Sequence, residues 1–128
     1  MSSNQKISWQ KVEQDCKELV DDLVLVRENI KNVYGLPRGG LVIAVIISHL
    51  LNVVVITDKK LITEKTLVVD DISDTGETLE ALLKGKKHIP ITATLWRDPE
   101  TKFIPNYYVN LKESNWLQFP WETDQTTK

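Results

Sequence analysis

Two stretches of this 128-residue sequence combine residue types that bind phosphate and sugar. The first is Leu67-Val68-Val69-Asp70-Asp71-Ile72-Ser73-Asp74-Thr75-Gly76-Glu77-Thr78-Leu79. Two adjacent carboxylates end an apolar, β-branched run, and a small polar loop with one glycine follows, in outline a phosphate-and-polyol site. Backbone N–H groups from Asp74 to Thr78, the hydroxyls of Thr75 and Thr78, and the positive end of a following helix form a donor set suited to phosphate. Gly76 allows the close approach. The second stretch, Gly35-Leu36-Pro37-Arg38-Gly39-Gly40, suggests another anion site. Its paired glycines turn the backbone sharply ahead of a helix, and Arg38 adds a permanent charge with bidentate geometry. A third feature, Trp116, offers a flat aromatic platform for a heterocycle.

These groups must be positioned by strands and helices, and the hydrophobic spacing says which. The run before Asp70 reads as a buried strand, and Glu77 to Leu83 begins a helical pattern. Ser8 is a plausible N-cap for a helix in which Trp9, Val12, Cys16, Leu19, Val20 and Leu23 recur at spacings of three and four. Asn32 to Leu36 reads as the first strand and Leu41 to Leu51 as a buried helix. Asn52 to Thr57 reads as a second buried strand, joined by Asp58 to Lys65 to the strand that carries the acidic pair. Ile89 to Trp96 then delivers Arg97-Asp98-Pro99 to the same edge, and Asn106 to Val109 makes a short fifth strand. This alternation predicts an α/β fold: an open, mainly parallel sheet of four or five strands with helices on both faces. In such sheets ligands lie beyond the carboxyl ends of the strands, where Asp70 and Asp71 fall.

Composition bounds the function. A hydrophobic fraction of 41%, a charged fraction of 27% and a net charge of −2 describe one ordinary globular domain, expected over residues 1–122, with a polar, mobile tail at 123–128. Basic residues are spread along the chain, which argues against a nucleic-acid footprint. The longest apolar run, Leu41 to Leu51, is too short for a bilayer, so no membrane role is expected. The single cysteine, Cys16, reads as a packed thiol in a reducing cytosol, and neither His49 nor His88 is assigned a catalytic part.

At these residues the sequence resembles a known family. The thirteen-residue run is similar to the phosphoribosyl-pyrophosphate (PRPP) signature of type I phosphoribosyltransferases. Gly-Leu-Pro-Arg-Gly-Gly resembles the pyrophosphate loop of the purine members, especially the bacterial xanthine-guanine and hypoxanthine types. Trp116 to Glu122 resembles the end of the base-binding hood in the xanthine-guanine enzymes. The resemblance implies a Rossmann-like type I phosphoribosyltransferase fold with a minimal C-terminal hood and a shortened lid at residues 58–65. It implies that Asp70 and Asp71 hold the ribose hydroxyls and support Mg²⁺, and that Asp74, Thr75, Gly76, Glu77 and Thr78 hold the 5′-phosphate. Pro37, Arg38, Gly39 and Gly40 would hold pyrophosphate, with a cis peptide between Pro37 and Arg38. Arg97, standing where family members place a lysine, would reach the base with Trp116 and the backbone near Leu117, while Asp74 and Arg38 would be catalytic.

The implied activity is transfer of ribose 5-phosphate from PRPP to a 6-oxopurine in purine salvage, with Mg²⁺ as cofactor, in a cytoplasmic homodimer. Two other readings stand beside it: a PRPP- or nucleotide-binding regulator on the same scaffold, and an unrelated α/β domain whose strand-end acids coordinate Mg²⁺.

Overall fold

The computed structural model describes residues 4–114 and 116–123, so the expected tail beyond Thr123 lies outside the described residues. The elements run β1 (Gln5–Lys6), α1 (Trp9–Asp22), β2 (Asn32–Gly35), α2 (Gly39–Leu51), β3 (Val54–Ile56), β4 (Thr66–Ser73), α3 (Glu77–Leu83), β5 (Ile91–Arg97), β6 (Tyr107–Leu111) and β7 (Leu117–Gln118). Ser8 caps α1 as its position predicts: its hydroxyl accepts from the Lys11 N–H at 3.1 Å.

Five strands form one sheet in the order β3-β2-β4-β5-β6, and every neighbouring pair is parallel. The register sets Gly35 beside Val69 and Val69 beside Ala93, so the strands end along one edge. Central β4 is buried along its whole length, as a strand covered on both faces must be. Its alternate residues divide between two clusters. Leu67 and Val69 join Val33, Ile43 and Ile47 with the apolar stripe of α1, while Val68 joins Tyr34, Leu36, Ile62 and Leu79 of α3. Helices therefore cover both faces, with α1 and α2 on one and α3 on the other.

Three features differ from the sequence reading. The run at 52–57 is not a buried strand: β3 pairs only with β2, and Val54 is 67% exposed. A β-branched run looks alike whether it pairs on one side or two. The last sheet strand continues to Leu111 rather than ending at Val109, carrying Lys112 to the sheet edge. The third is β1, which pairs in parallel with β7, the Ile7 N–H donating to the Gln118 carbonyl at 2.8 Å. The two ends of the chain thus brace one another.

A polar link fastens α1 to β6. Asp15, only 2% exposed, accepts from Lys11 Nζ and from Asn110 Nδ2, both at 2.9 Å, and Asn110 also donates to the Leu95 carbonyl. Beside it, Cys16 is fully buried, and its thiol is pushed up to about 12 by burial first and by the Asp15 and Glu13 carboxylates after it. The folded protein is expected to resist a neutral-pH thiol reagent and to react in denaturant. Rapid labelling of the folded chain, read by mass spectrometry, would contradict this burial.

Candidate active site

At the end of β4 the chain turns through Asp74-Thr75-Gly76 into α3. Asp70, Ile72, Ser73, Asp74, Thr75, Gly76, Thr78 and Leu79 line a cavity of about 130 Å³, small enough to suit a phosphoryl group and its hydrogen-bond partners. Gly76 makes the turn at φ +88°, a backbone conformation open to glycine. A β-carbon there would also come within 2.7 Å of Thr101 Oγ1. Glu77 does not share the cavity: its exposed carboxylate faces Lys102 Nζ at 3.5 Å, and its part in the loop is its backbone N–H, which approaches Thr75 Oγ1 at 3.2 Å.

A second segment, not anticipated from the sequence, supports this loop. Ser73 Oγ lies 2.9 Å from Thr101 Oγ1 and donates to the Phe103 carbonyl at 2.7 Å, while the Lys102 N–H donates to the Thr75 carbonyl at 2.9 Å. The stretch after β5 therefore clamps the Asp74–Thr78 loop from outside. Thr101 and Phe103 carry no motif of their own, so only their proximity reveals this role.

The acidic pair splits because successive side chains on a strand face opposite ways. Asp70 lines the cavity. Asp71, fully buried, has one carboxylate oxygen on the Ile72 N–H at 2.8 Å and the other against Gly39. The peptide between Pro37 and Arg38 is cis, as the sequence resemblance predicts. Pro37 and Arg38 are exposed, while Gly39 and Gly40 are buried at the start of α2. Asp71 thus joins the second anion loop to the first.

On the side of β5 and β6, Arg97 stacks over Tyr108 with 4.8 Å between guanidinium carbon and ring centroid. Its Nε and Nη1 are buried without a hydrogen-bond partner among the described residues. Next to it lies Lys112, whose N–H donates to the Arg97 carbonyl at 2.8 Å. The Lys112 side chain is only 10% exposed, and its ammonium meets Asp74 Oδ1 at 3.2 Å. The pairing of Arg97 with Leu111 sets the Lys112 backbone beside Arg97 at the strand ends. Its sequence signal was a cation just beyond a strand at the ligand-bearing edge, hidden by the early end assigned to β6.

The hood is only partly as expected. Trp116 is half-buried, and its carbonyl accepts from the Gln5 N–H at 3.1 Å. Leu117 is 2% exposed and belongs to the core, so its side chain is structural. Trp121 stacks on Phe119 at 5.1 Å and tilts against Trp9 at 5.7 Å. Among the described residues, no group of three His, Cys, Asp or Glu side chains could hold a metal by itself. A Mg²⁺ ion needs no such cage: one or two carboxylates with substrate phosphates and water suffice, and Asp70 facing the cavity fits that arrangement.

Comparison with models of known protein families finds no match. Individual proteins do match. The chain is 28% identical to the xanthine-guanine phosphoribosyltransferase of Desulfotalea psychrophila over 141 residues, covering 92% of this chain and 86% of that protein. It is 25% identical to the Idiomarina loihiensis enzyme of the same name over 138 residues, covering 91% and 85%. Both alignments are longer than the 128-residue chain, so both relatives carry insertions within the matched span. Among solved structures, the Helicobacter pylori xanthine-guanine-hypoxanthine phosphoribosyltransferase shares the fold, with a TM-score of 0.79, 22% identity and 95% of each chain covered. The purine phosphoribosyltransferase of Pyrococcus horikoshii Ot3 matches with a TM-score of 0.78 and 30% identity over 94% of this chain and 95% of that one. With the sheet order, the cis-peptide loop, the Gly76 turn and the split acidic pair already in place, this likeness over nearly the whole length shows that the chain belongs to the purine phosphoribosyltransferases.

Proposed function

We propose that this protein transfers the ribose 5-phosphate unit of PRPP to a ring nitrogen of a 6-oxopurine, releasing pyrophosphate, and so serves purine salvage. The observation that carries the reading is the single carboxyl edge on which a phosphate-sized cavity, an acidic pair and the Pro37-Arg38-Gly39-Gly40 loop meet. The regulator reading is less well supported, because the relatives bear enzyme names.

In this proposal Thr75, Gly76, Thr78 and the N–H groups at the start of α3 take the 5′-phosphate, and Asp70 and Asp71 take the ribose hydroxyls. Glu77 contributes its backbone alone. Arg38, with the N–H groups of Gly39 and Gly40, meets the charge that grows on departing pyrophosphate, the term on which such a reaction depends most. Asp74 accepts the proton lost by the purine, and Arg97, Trp116 and the backbone at Leu117 bind the base. Asp70 and Asp71 would hold Mg²⁺ together with PRPP, and the ion would supply neutralisation of the pyrophosphate charge. The 57–65 connection, with its 3-10 turn at Lys59–Leu61, serves as a short cover. A cytoplasmic homodimer acting on small molecules completes the reading, supported by the resemblance to the family.

The test is incubation with PRPP, Mg²⁺ and, separately, guanine, xanthine, hypoxanthine and adenine, with chromatography of the products. One nucleoside monophosphate should form with equal pyrophosphate, and Arg38→Ala should slow it by about a hundredfold or more. PRPP bound but unconsumed with every base would favour the regulator.

A further inference from the structure

Lysines gather at a groove to which the proposed reaction assigns no ligand, one wall of it the connection proposed as a cover. Lys59 and Lys60 lie on the 3-10 turn of the β3–β4 connection, and Lys84, Lys86 and Lys87 follow the end of α3. Four of these five line one groove of about 310 Å³, floored by Ala81 and Leu82. The Lys86 ammonium donates to the Lys59 carbonyl at 3.3 Å, tying the two walls together. The chain has 16 Lys and Arg residues and a net charge of −2, so five lysines here are a local concentration rather than a general excess.

Nearby acids do not cancel it. Among the described residues, none of the four ion pairs involves these five lysines. Asp58 accepts from the Lys60 backbone N–H, and Glu64 faces His88 at 3.5 Å. Glu80, one turn before Lys84, is the remaining acidic neighbour in sequence. Like charges held this close repel, and a multiply charged anion would relieve that repulsion while collecting several charge-assisted hydrogen bonds.

The geometry points to a binding site for a linear phosphate chain of three or more phosphoryl groups, free or carried by a nucleoside. Lysine ammoniums are compact point charges with rotatable donors, suited to successive phosphoryl oxygens rather than to the bidentate reading of a carboxylate. Asp58, Glu64 and Glu80 flank the patch in sequence and limit its length, which disfavours a long polyanion such as nucleic acid. The groove is separate from the phosphate cavity and shares no lining residue with it. It does continue, through Lys59, Ala81 and Leu82, into a second hollow that reaches Pro37 and Thr78. An occupant would therefore hold the β3–β4 connection against the helix that begins at the phosphate loop.

Calorimetric titration without added metal tests this, using inorganic triphosphate and a nucleoside triphosphate as probes. The full-length chain should bind both, more weakly as salt is raised. Lys84→Gln/Lys86→Gln should weaken binding about tenfold, the loss of two charge-assisted contacts at a partly solvated site. Lys59→Gln/Lys60→Gln should do the same from the opposite wall. Arg38→Ala/Thr75→Asp, which disables both anion loops of the candidate active site, should leave groove binding in place. Absence of binding to the parent chain overturns the proposal. So does loss in the Arg38/Thr75 variant with no loss in either lysine variant, since the probe would then occupy only the active-site loops. Nucleotide synthesis by Lys84→Gln/Lys86→Gln should equal the parent's when no triphosphate is present, and the groove's titration stands whether or not synthesis is found.

Discussion

Replacing Gly39 with alanine is expected to cut kcat/KM for PRPP by about a hundredfold, because a displacement of roughly 1 Å in a catalytic arrangement has a cost of that size. The added β-carbon would run into the Asp71 carboxylate and approach Trp121 Nε1 at 3.1 Å. Neither neighbour yields easily. Asp71 is fully buried in the central strand with its other oxygen on the Ile72 N–H, and Trp121 is stacked on Phe119. The strain must therefore move the loop carrying Arg38 or turn the Asp71 carboxylate, and either change shifts the residues proposed to hold pyrophosphate relative to those proposed to hold the sugar. Overpacking also has a stability cost, about 1–3 kcal/mol, so kinetics should be read well below the midpoint of thermal unfolding. A Gly39→Ala protein with PRPP kinetics within threefold of the parent would show that Asp71 does not couple the two loops.

How far the sequence carries the fold is plain from that contact. The Pro37–Gly40 and Asp74–Thr78 loops and the order of strands and helices were legible because each has a local signature: an apolar run, a pair of acids, a glycine at a turn; the cis peptide itself was expected from the family resemblance alone. The edge position of β3 was not legible, since Val54 has the same chemistry whether one neighbour or two lie beside it. Nor was β1, where Gln5 and Lys6 have no apolar pattern and form a strand only because β7 returns beside them. The sequence places Asp70 and Asp71 together, yet strand alternation sends one to the cavity and the other to Gly39. Thr101, Phe103 and Lys112 join the site from segments 22 or more residues beyond the signature's end, through contacts that no spacing rule encodes.

Lys112 is the most consequential of these late arrivals, and Lys112→Met is expected to lower kcat by about a hundredfold, the range associated with losing one preorganised charged partner in an active site. Its ammonium is nearly buried and lies 3.2 Å from Asp74 Oδ1, the carboxylate proposed to accept the purine proton. Methionine keeps the length and apolar stem of lysine but removes the charge, so packing at the end of β6 should survive. The backbone N–H that Lys112 gives to the Arg97 carbonyl also survives the change. Asp74 would then be free to swing out of the line set by its cation. If the pair orients the base-side chemistry, kcat should fall with the KM for PRPP nearly unchanged, and Lys112→Arg should restore part of the loss. If it only helps hold PRPP, the KM for PRPP should rise at constant kcat. Kinetics within threefold of the parent in both parameters would reduce the contact to a structural ion pair, which the thermal midpoint of the same variant would then register.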